Sequence, residues 1–302
     1  MSLSDLAKLI SLAAIWGGSF IFMRVAVPEI GAILTAALRV GLAALALVGY
    51  AALSGVQMDW RRNWKPYFLV GVTAGAVPFS CFTFAALYLP AAYSAVLNST
   101  APLFGALFSV LWLAEQLNAG KLAGLVLGMI GVGILVGAGA LALNPAALLA
   151  AGACLTAAAS YALSSIIVKR LGSAQRRYID PTALATGSLA WGTLVMLPLL
   201  PFTLATGLPL AMPSLAAILC VLALALLSSA LAQVIFIPLI VRIGPTRAMS
   251  VTFLIPLFSM VWGLLFLGEA LQASTLIGAA VVLLAMALVL FTPSRRRASP
   301  SH

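Results

Sequence analysis

The stretch APLFGALFSVLWLAEQL, residues 101–117, has a second copy near the carboxyl end of the chain, IPLFSMVWGLLFLGEAL, residues 255–271. In register, Pro102 aligns with Pro256, and both copies carry a glutamate near their end. The aligned positions lie 154 residues apart in a chain of 302 residues. A segment that recurs at about half the length of the chain indicates two internal repeats.

The composition places this chain in a membrane. Hydrophobic residues make up 64% of it, charged residues only 7%, and the mean hydropathy is +1.18. A soluble protein carries about 25% charged residues, which it needs to cover a surface that faces water. The net charge of +10 is typical of basic residues retained on the cytoplasmic side of a membrane protein. We therefore expect an integral membrane protein whose partner is the lipid bilayer and not nucleic acid.

The intervals between charged residues show how many helices can cross the bilayer. A crossing needs about 20 apolar residues, and a charge inside the hydrocarbon costs at least a few kcal/mol. The intervals long enough are 30–53 (interrupted only by Arg39), 66–114, 122–168, 181–241, 248–268 and 270–294, and the shorter interval 9–23 fits one crossing if the helix extends past its flanks. The intervals 66–114, 122–168 and 181–241 fit two crossings each. The sequence thus predicts an all-α membrane protein with ten transmembrane helices, numbered here as spans one to ten.

The basic residues predict how these spans are oriented. With ten spans, both termini lie on one side of the membrane, and fourteen of the sixteen Lys and Arg residues fall on that side. Arg24 falls on the opposite side, and Arg39 lies within the second span. Because basic residues are retained in the cytoplasm, we expect both termini to be cytoplasmic.

Ten spans in two repeats give five spans to each repeat, so the second repeat enters the membrane inverted. A second pairing agrees: WGGSFIFMR, residues 16–24, is similar to YALSSIIVK, residues 161–169. Inverted repeats place a site at the midplane between the halves and permit alternating access. The predicted division is a first repeat at 1–141, a second at 142–292 and a basic cytoplasmic tail at 293–302.

Residues 86–136 and 245–290, together with WGGSF at 16–20 and Arg39, resemble the ten-span EamA branch of the drug/metabolite transporter superfamily. Within that branch the chain looks most similar to YddG-type exporters of aromatic amino acids. The resemblance implies ten helices around a central cavity, in two inverted EamA repeats. It also implies export of amino acids or related metabolites through the inner membrane of a bacterial cell.

Polar and aromatic side chains within the spans are candidates for the substrate cavity. A mostly apolar pocket with a few amides and hydroxyls suits an uncharged or zwitterionic ligand. The candidates are Trp16, Ser19, Phe79, Phe82, Tyr93, Asn98, Ser99, Tyr161, Ser164, Gln233 and Trp262. Each could instead be a helix-packing contact or an interfacial aromatic. Asn98 and Gln233 are favoured because an amide that faces lipid is costly.

Prolines within spans predict kinks, since proline removes a backbone hydrogen bond. Pro102 pairs with Pro256, and Pro78 pairs more loosely with Pro238. These kinks either act as hinges or walls of the cavity, or are fixed bends inherited with the duplication.

Charged residues within or beside the spans allow two interpretations each. Arg39 either anchors a substrate carboxylate or has a structural role, for which Glu29 is a possible partner. Glu115 and Glu269 are interpreted as helix caps in preference to proton carriers. Because no acidic residue or histidine lies in the middle of a span, the sequence favours facilitated export or exchange over proton antiport.

The predicted function is export of amino acids, with aromatic or other bulky apolar types favoured, by alternating access. The alternatives are a multidrug or nucleobase exporter of the same superfamily and a lipid flippase. An enzyme is not expected, because the spans hold no acid–base or metal cluster, and no cofactor is expected. Glycines at Gly120, Gly124 and Gly128 predict close packing against span ten or a dimer partner, so the protein is expected to be a monomer or weak homodimer.

Overall fold

A computed structural model describes residues 2–113, 119–137, 144–174, 179–205, 212–243 and 251–291. Glu115, the tail at 293–302 and the junction of the two predicted repeats at 142 lie outside these residues. The described residues contain helices and connecting turns, and no strand.

Seven of the helices are long and apolar enough to cross a membrane, and three shorter apolar helices accompany them. The predicted all-α membrane fold is confirmed. The helices of spans one to ten, in order, are Leu3–Ile30; Ala32–Leu53; Trp60–Gly71, Val72–Ala76 and Val77–Ala85; Ala91–Asn98 and Ala101–Leu113; Ala119–Gly137; Pro145–Ala174; Pro181–Met196, Leu197–Leu199 and Leu200–Ala205; Leu215–Ala225, Leu226–Leu231 and Ala232–Ile243; Val251–Leu267; and Ala273–Phe291.

Spans three and eight each contain a stretch of wider π-helix. We call Val72–Ala76 the first π segment and Leu226–Leu231 the second π segment. Their first residues, Val72 and Leu226, are 154 residues apart, which is the offset of the sequence repeat. After each segment, a backbone N–H bonds to a carbonyl five residues earlier. The duplication is therefore visible in the backbone and not only in the residue pattern.

The two repeats pack against each other in a reciprocal way. Span one lies against spans eight and nine, and span six, its counterpart, lies against spans three and four. The largest apolar cluster contains residues of both repeats, including Phe20, Phe82, Cys154 and Ile255. A site between the repeats is consequently enclosed by helices of both.

Spans five and ten pack at short range through glycine. A Cβ on Gly131 would lie 2.9 Å from the backbone nitrogen of Val282, whereas one on Gly128 would first clash with the Leu103 side chain of span four and would lie 3.6 Å from Cβ of Ala285. At 2.9 Å, Gly131 allows the backbones of spans five and ten to approach closely. Part of the glycine-rich face of span five thus packs against span ten, as the sequence predicted.

Candidate functional site

Arg39 lies in the interior between the two repeats. Its side chain is 5% exposed. Nε donates a hydrogen bond to Oγ of Ser229 at 3.1 Å, and Nη1 lies 3.8 Å from Sδ of Met23. The guanidinium carbon lies 3.9 Å from the centroid of the Phe79 ring, which is a cation–π contact. Residues of spans one, two, three and eight therefore meet at this arginine.

No carboxylate lies within salt-bridge distance of Arg39 among the residues that the structure describes. Glu29, the partner considered from the sequence, is engaged elsewhere. Its carboxylate accepts hydrogen bonds from the backbone N–H of Ser214, at 2.6 Å, and from the Ser214 hydroxyl, at 2.9 Å. Glu29 thus caps the start of span eight, and its pairing with Arg39 is not found. Arg39 is left as a buried cation that is compensated by neutral groups.

Aromatic rings form one wall beside Arg39. Phe82 stacks on Tyr161 with ring centroids 6.2 Å apart and meets the edge of Phe20 at 5.5 Å. Tyr161 also packs against the buried apolar cluster that contains Phe79, the residue in contact with Arg39. Phe79, Phe82 and Tyr161, all predicted cavity residues, are therefore brought together with Arg39 at the junction of spans two, three and six.

The two predicted tryptophans join the repeats through their indole N–H groups. Trp16 donates to the backbone carbonyl of Ser228 at 3.0 Å, and Trp262 donates to that of Ala14 at 3.1 Å. Ser19 donates to the Trp16 carbonyl of its own helix at 2.6 Å. The two indole bonds give Trp16 and Trp262 a role in helix packing, whereas the Ser19 bond stays within span one.

Each π segment accepts a hydrogen bond from the first span of the opposite repeat. The second π segment accepts the Trp16 bond at Ser228, and the first accepts one from the Ser160 hydroxyl at the Thr73 carbonyl, at 2.8 Å. A π turn leaves a carbonyl without its usual donor four residues later, so these side chains satisfy groups that the widened helix exposes. The interface is reciprocal at the level of single bonds.

Ser99 connects the kinked spans four and nine. Its hydroxyl lies 3.0 Å from the Ala95 carbonyl of its own helix and 3.4 Å from the Thr252 carbonyl of span nine. Thr252 stands four residues before Pro256, which has no N–H to donate to it. Ser99 therefore helps to satisfy a carbonyl that the proline of the other repeat leaves open.

Comparison with known proteins identifies the family. The EamA-like transporter family matches residues 6–137 and, a second time, residues 146–291. The chain belongs to the EamA-like transporter family. It is a multi-pass membrane protein of a family of transporters.

Bacterial relatives match this EamA-like protein over nearly its whole length. The uncharacterized transporter YoaV of Bacillus subtilis is 25% identical over 290 residues, which cover 96% of this chain and 97% of YoaV. A protein of Salmonella typhimurium called "Probable amino-acid metabolite efflux pump" is 25% identical over 304 residues, 96% of each chain. The inner membrane transporter YedA of Escherichia coli, described as uncharacterized, is 28% identical over 287 residues, covering 93% of this chain and 89% of YedA.

A solved crystal structure shares the fold of this EamA-like protein. It matches with a TM-score of 0.64 at 16% identity, over 96% of this chain and 98% of the other. At that identity the likeness concerns the arrangement of the helices alone.

Among the described residues, the remaining predicted cavity residues of the EamA-like protein form no hydrogen bond with Arg39. Tyr93 is 6% exposed, and Ser164 is 5% exposed. Asn98 and Gln233 are half-buried, and neither amide forms a hydrogen bond with another described residue. Both amides therefore retain donors and acceptors that a ligand can use.

The predicted prolines occupy different local settings. Pro256 lies inside the helix of span nine, and Pro102 is the second residue after the turn that divides span four. Pro78 is the second residue after the first π segment, while Pro238 lies within the last helix of span eight. The paired prolines thus share sequence positions without sharing identical helix geometry.

Two surface grooves of the EamA-like protein are lined by small or apolar side chains, and one threonine in the first groove is the exception. One, of about 460 Å³, lies between spans two and seven and includes Leu42 and Thr193. The other, of about 470 Å³, lies between spans five and ten and includes Val126 and Leu288. Neither contains a predicted cavity residue, and both lie on apolar helix faces that suit contact with lipid.

Sequence reasoning missed the two serines of the second π segment, Ser228 and Ser229. The sequence holds a signal for them. The stretch LLSSAL at 226–231, which contains both serines, begins 154 residues after the stretch VTAGA at 72–76 and so occupies the matching place in the second repeat. Adjacent serines in an otherwise apolar span are unusual enough to mark a polar interior position. What the sequence lacked was the helix rotation that turns Ser229 toward Arg39.

Proposed function

We propose that this EamA-like protein exports amino acids, with aromatic or other bulky apolar types favoured, from the cytoplasm across the inner membrane of a bacterium. In this proposal both termini are cytoplasmic, and the repeats at 1–141 and 142–292 rock on one another to give alternating access. The supporting observation is Arg39, which is buried between the repeats beside aromatic rings and has no carboxylate partner among the described residues.

The energetics of Arg39 support a ligand with a carboxylate. A buried charge without a counter-ion costs several kcal/mol, and the serine, sulfur and ring around Arg39 offset only part of that cost. A substrate carboxylate would supply the missing negative charge, and guanidinium binds carboxylate through two parallel hydrogen bonds. The cost of burial is then tolerated in the empty transporter and recovered when substrate binds.

The aromatic wall supports a bulky side chain on that substrate. Phe79 lies against the guanidinium of Arg39, and Tyr161, which stacks on Phe82, packs against the cluster that contains Phe79. An aromatic substrate buries apolar surface against these rings. Each ring–ring contact adds about 0.5–1.5 kcal/mol to the stabilisation that comes from the buried area. A smaller substrate, such as threonine, gains less from these rings.

The test is flux in proteoliposomes that contain the purified protein and labelled phenylalanine, tryptophan, methionine or threonine. We expect protein-dependent flux of at least one of them, with the aromatic pair ahead of threonine. Liposomes without protein are the control. Absence of flux for all four overturns the proposal.

The same vesicles test the energy coupling. Since the sequence has no acidic residue or histidine in the middle of a span, we expect flux down a substrate gradient without a pH gradient. A strict requirement for a proton gradient would contradict facilitated export or exchange.

A further inference from the structure

Arg39 is held by a serine that is itself fixed. The Ser229 hydroxyl accepts a hydrogen bond from Nε of Arg39 at 3.1 Å and donates one to the Leu224 carbonyl at 2.9 Å. The Arg39 and Ser229 side chains are each 5% exposed. The hydroxyl therefore acts both as donor and as acceptor, and its bond to the Leu224 carbonyl fixes its orientation.

The second π segment explains why this hydroxyl points at Arg39. A serine in an ordinary α-helix bonds back to a carbonyl three or four residues earlier. Ser229 bonds to Leu224, five residues earlier, because the segment Leu226–Leu231 is widened. The π turn thus changes where the oxygen lies, as π segments often do at functional sites.

The bonds to Arg39 leave one edge of the guanidinium for a ligand. Nε is engaged by Ser229, and the ring of Phe79 covers one face. Nη1 meets only the Met23 sulfur, which is a weak acceptor, and Nη2 forms no hydrogen bond with a described residue. The two terminal nitrogens can therefore receive a carboxylate end-on, once it displaces the sulfur.

We propose that Ser229 is a positioning residue that aims the terminal nitrogens of Arg39 at the substrate carboxylate. The proposal rests on the function proposed above, in which Arg39 binds that carboxylate. Since Arg39 belongs to the first repeat and Ser229 to the second, the guanidinium is aimed only while the repeats hold this relative position. Movement of one repeat against the other then changes the affinity for substrate at the same step.

The first π segment has no equivalent device. Gly75 stands at the repeat offset from Ser229 and has no side chain to offer. A Cβ on Gly75 would meet no atom within 4 Å, so no tight contact accounts for the glycine. The duplication has thus kept two π segments while only the second carries a hydroxyl at this position.

A direct test measures the side chain of Arg39 without any substrate. The protein is labelled with ¹⁵N-arginine, and the Nε–H signal of Arg39 is assigned from its loss in Arg39→Lys. We expect a slowly exchanging signal in the wild type and in Ser229→Thr, and exchange at least about tenfold faster in Ser229→Ala, because a hydrogen bond to a charged group is lost. Ser188→Ala is the matched control, since Ser188 is also buried but bonds to Ala185 in span seven.

The second measurement compares KM for two ligands in the flux assay. One is phenylalanine, and the other is phenylalaninamide, which lacks the carboxylate. We expect Ser229→Ala to raise KM for phenylalanine about tenfold and to leave KM for the amide unchanged. Ser229→Thr, which keeps a hydroxyl, should have the wild-type KM for phenylalanine. A purely structural serine would change both ligands equally.

The outcomes separate the two proposals. An unchanged Nε–H signal in Ser229→Ala, or an equal rise of KM for both ligands, overturns the positioning role. Absence of wild-type flux overturns the proposed function, while the exchange measurement still decides whether Ser229 holds Arg39.

Discussion

Nε of Arg24 lies 3.4 Å from a carboxylate oxygen of Glu269, which joins span one of the first repeat to the end of span nine of the second. The same two side chains hold the connection between spans three and four at both ends. Arg24 donates to the Ala86 carbonyl at 2.7 Å, and Glu269 accepts from the N–H of Ala91 at 3.0 and 3.1 Å. Glu269 is a helix cap, as the sequence suggested, but it caps the helix that starts span four.

This arrangement predicts energetic coupling between Arg24 and Glu269. The two side chains are 31% and 12% exposed, so the pair is partly shielded from solvent. In a double-mutant cycle of Arg24→Met and Glu269→Gln, measured by unfolding in detergent, we expect a coupling energy of about 1 kcal/mol. Glutamine keeps an oxygen for Ala91, so the cycle isolates the ion pair.

Glu29→Gln serves as the control for that cycle, because Glu29 bonds to Ser214 and not to Arg24. Its effect should add to that of Arg24→Met within error. If the effects of Arg24→Met and Glu269→Gln on the free energy of unfolding were also additive, the contact between the two side chains would contribute nothing to stability.

A second prediction concerns the charge and shape of Arg39. Arg39→Met removes the charge, and Arg39→Lys keeps it without the planar fork that binds carboxylate in two places. We expect KM for phenylalanine in proteoliposomes to rise at least about tenfold in both variants, and the rise should be larger in Arg39→Met than in Arg39→Lys. Arg61→Gln, at an exposed position at the start of span three, should leave KM unchanged. Wild-type KM in Arg39→Met would exclude the arginine as an anchor.

A third prediction tests the close approach of spans one and nine. A Cβ on Gly17 would lie 2.7 Å from Cβ of Phe258 and 3.0 Å from the Ile255 carbonyl oxygen. Gly17→Ala should therefore force the spans apart and lower stability by about 1–3 kcal/mol. The adjacent Gly18 is the control, because its Cβ would meet atoms only at 3.6 Å or more. Equal stability of Gly17→Ala and Gly18→Ala, measured by thermal unfolding in detergent, would argue against this packing.

A fourth prediction links Ser99 with Pro256. Ser99→Ala removes one hydrogen bond to the Thr252 carbonyl and should lower stability by about 0.5–1.5 kcal/mol. In a Pro256→Ala background, the new N–H can donate to that carbonyl, so Ser99→Ala should cost less. Unfolding of the two single variants and the double variant measures the difference. An unchanged cost in both backgrounds would show that Ser99 does not compensate for the proline.

Particular residues show how far the sequence reaches. The charge-free intervals predicted the spans because a helix must traverse a fixed thickness of hydrocarbon and a charge within it is costly. The pairing of Pro102 with Pro256 revealed the duplication, and the same offset recurs in the two π segments. Trp16 is a candidate cavity residue by its place in span one, and the sequence does not predict that its N–H bonds to Ser228 across the repeat interface.

The sequence by itself determined the membrane, the number of spans and the inverted repeat, since these follow from hydropathy, charge and similarity along the chain. Only the tertiary structure decided what surrounds Arg39 and where Glu29 and Glu269 bond. Those neighbours depend on the rotation of each helix about its axis, and a π turn of five or six residues changes that rotation. No pattern of residue types records such a change, so the partnership of Arg39 with Ser229 becomes visible only when both repeats are folded together.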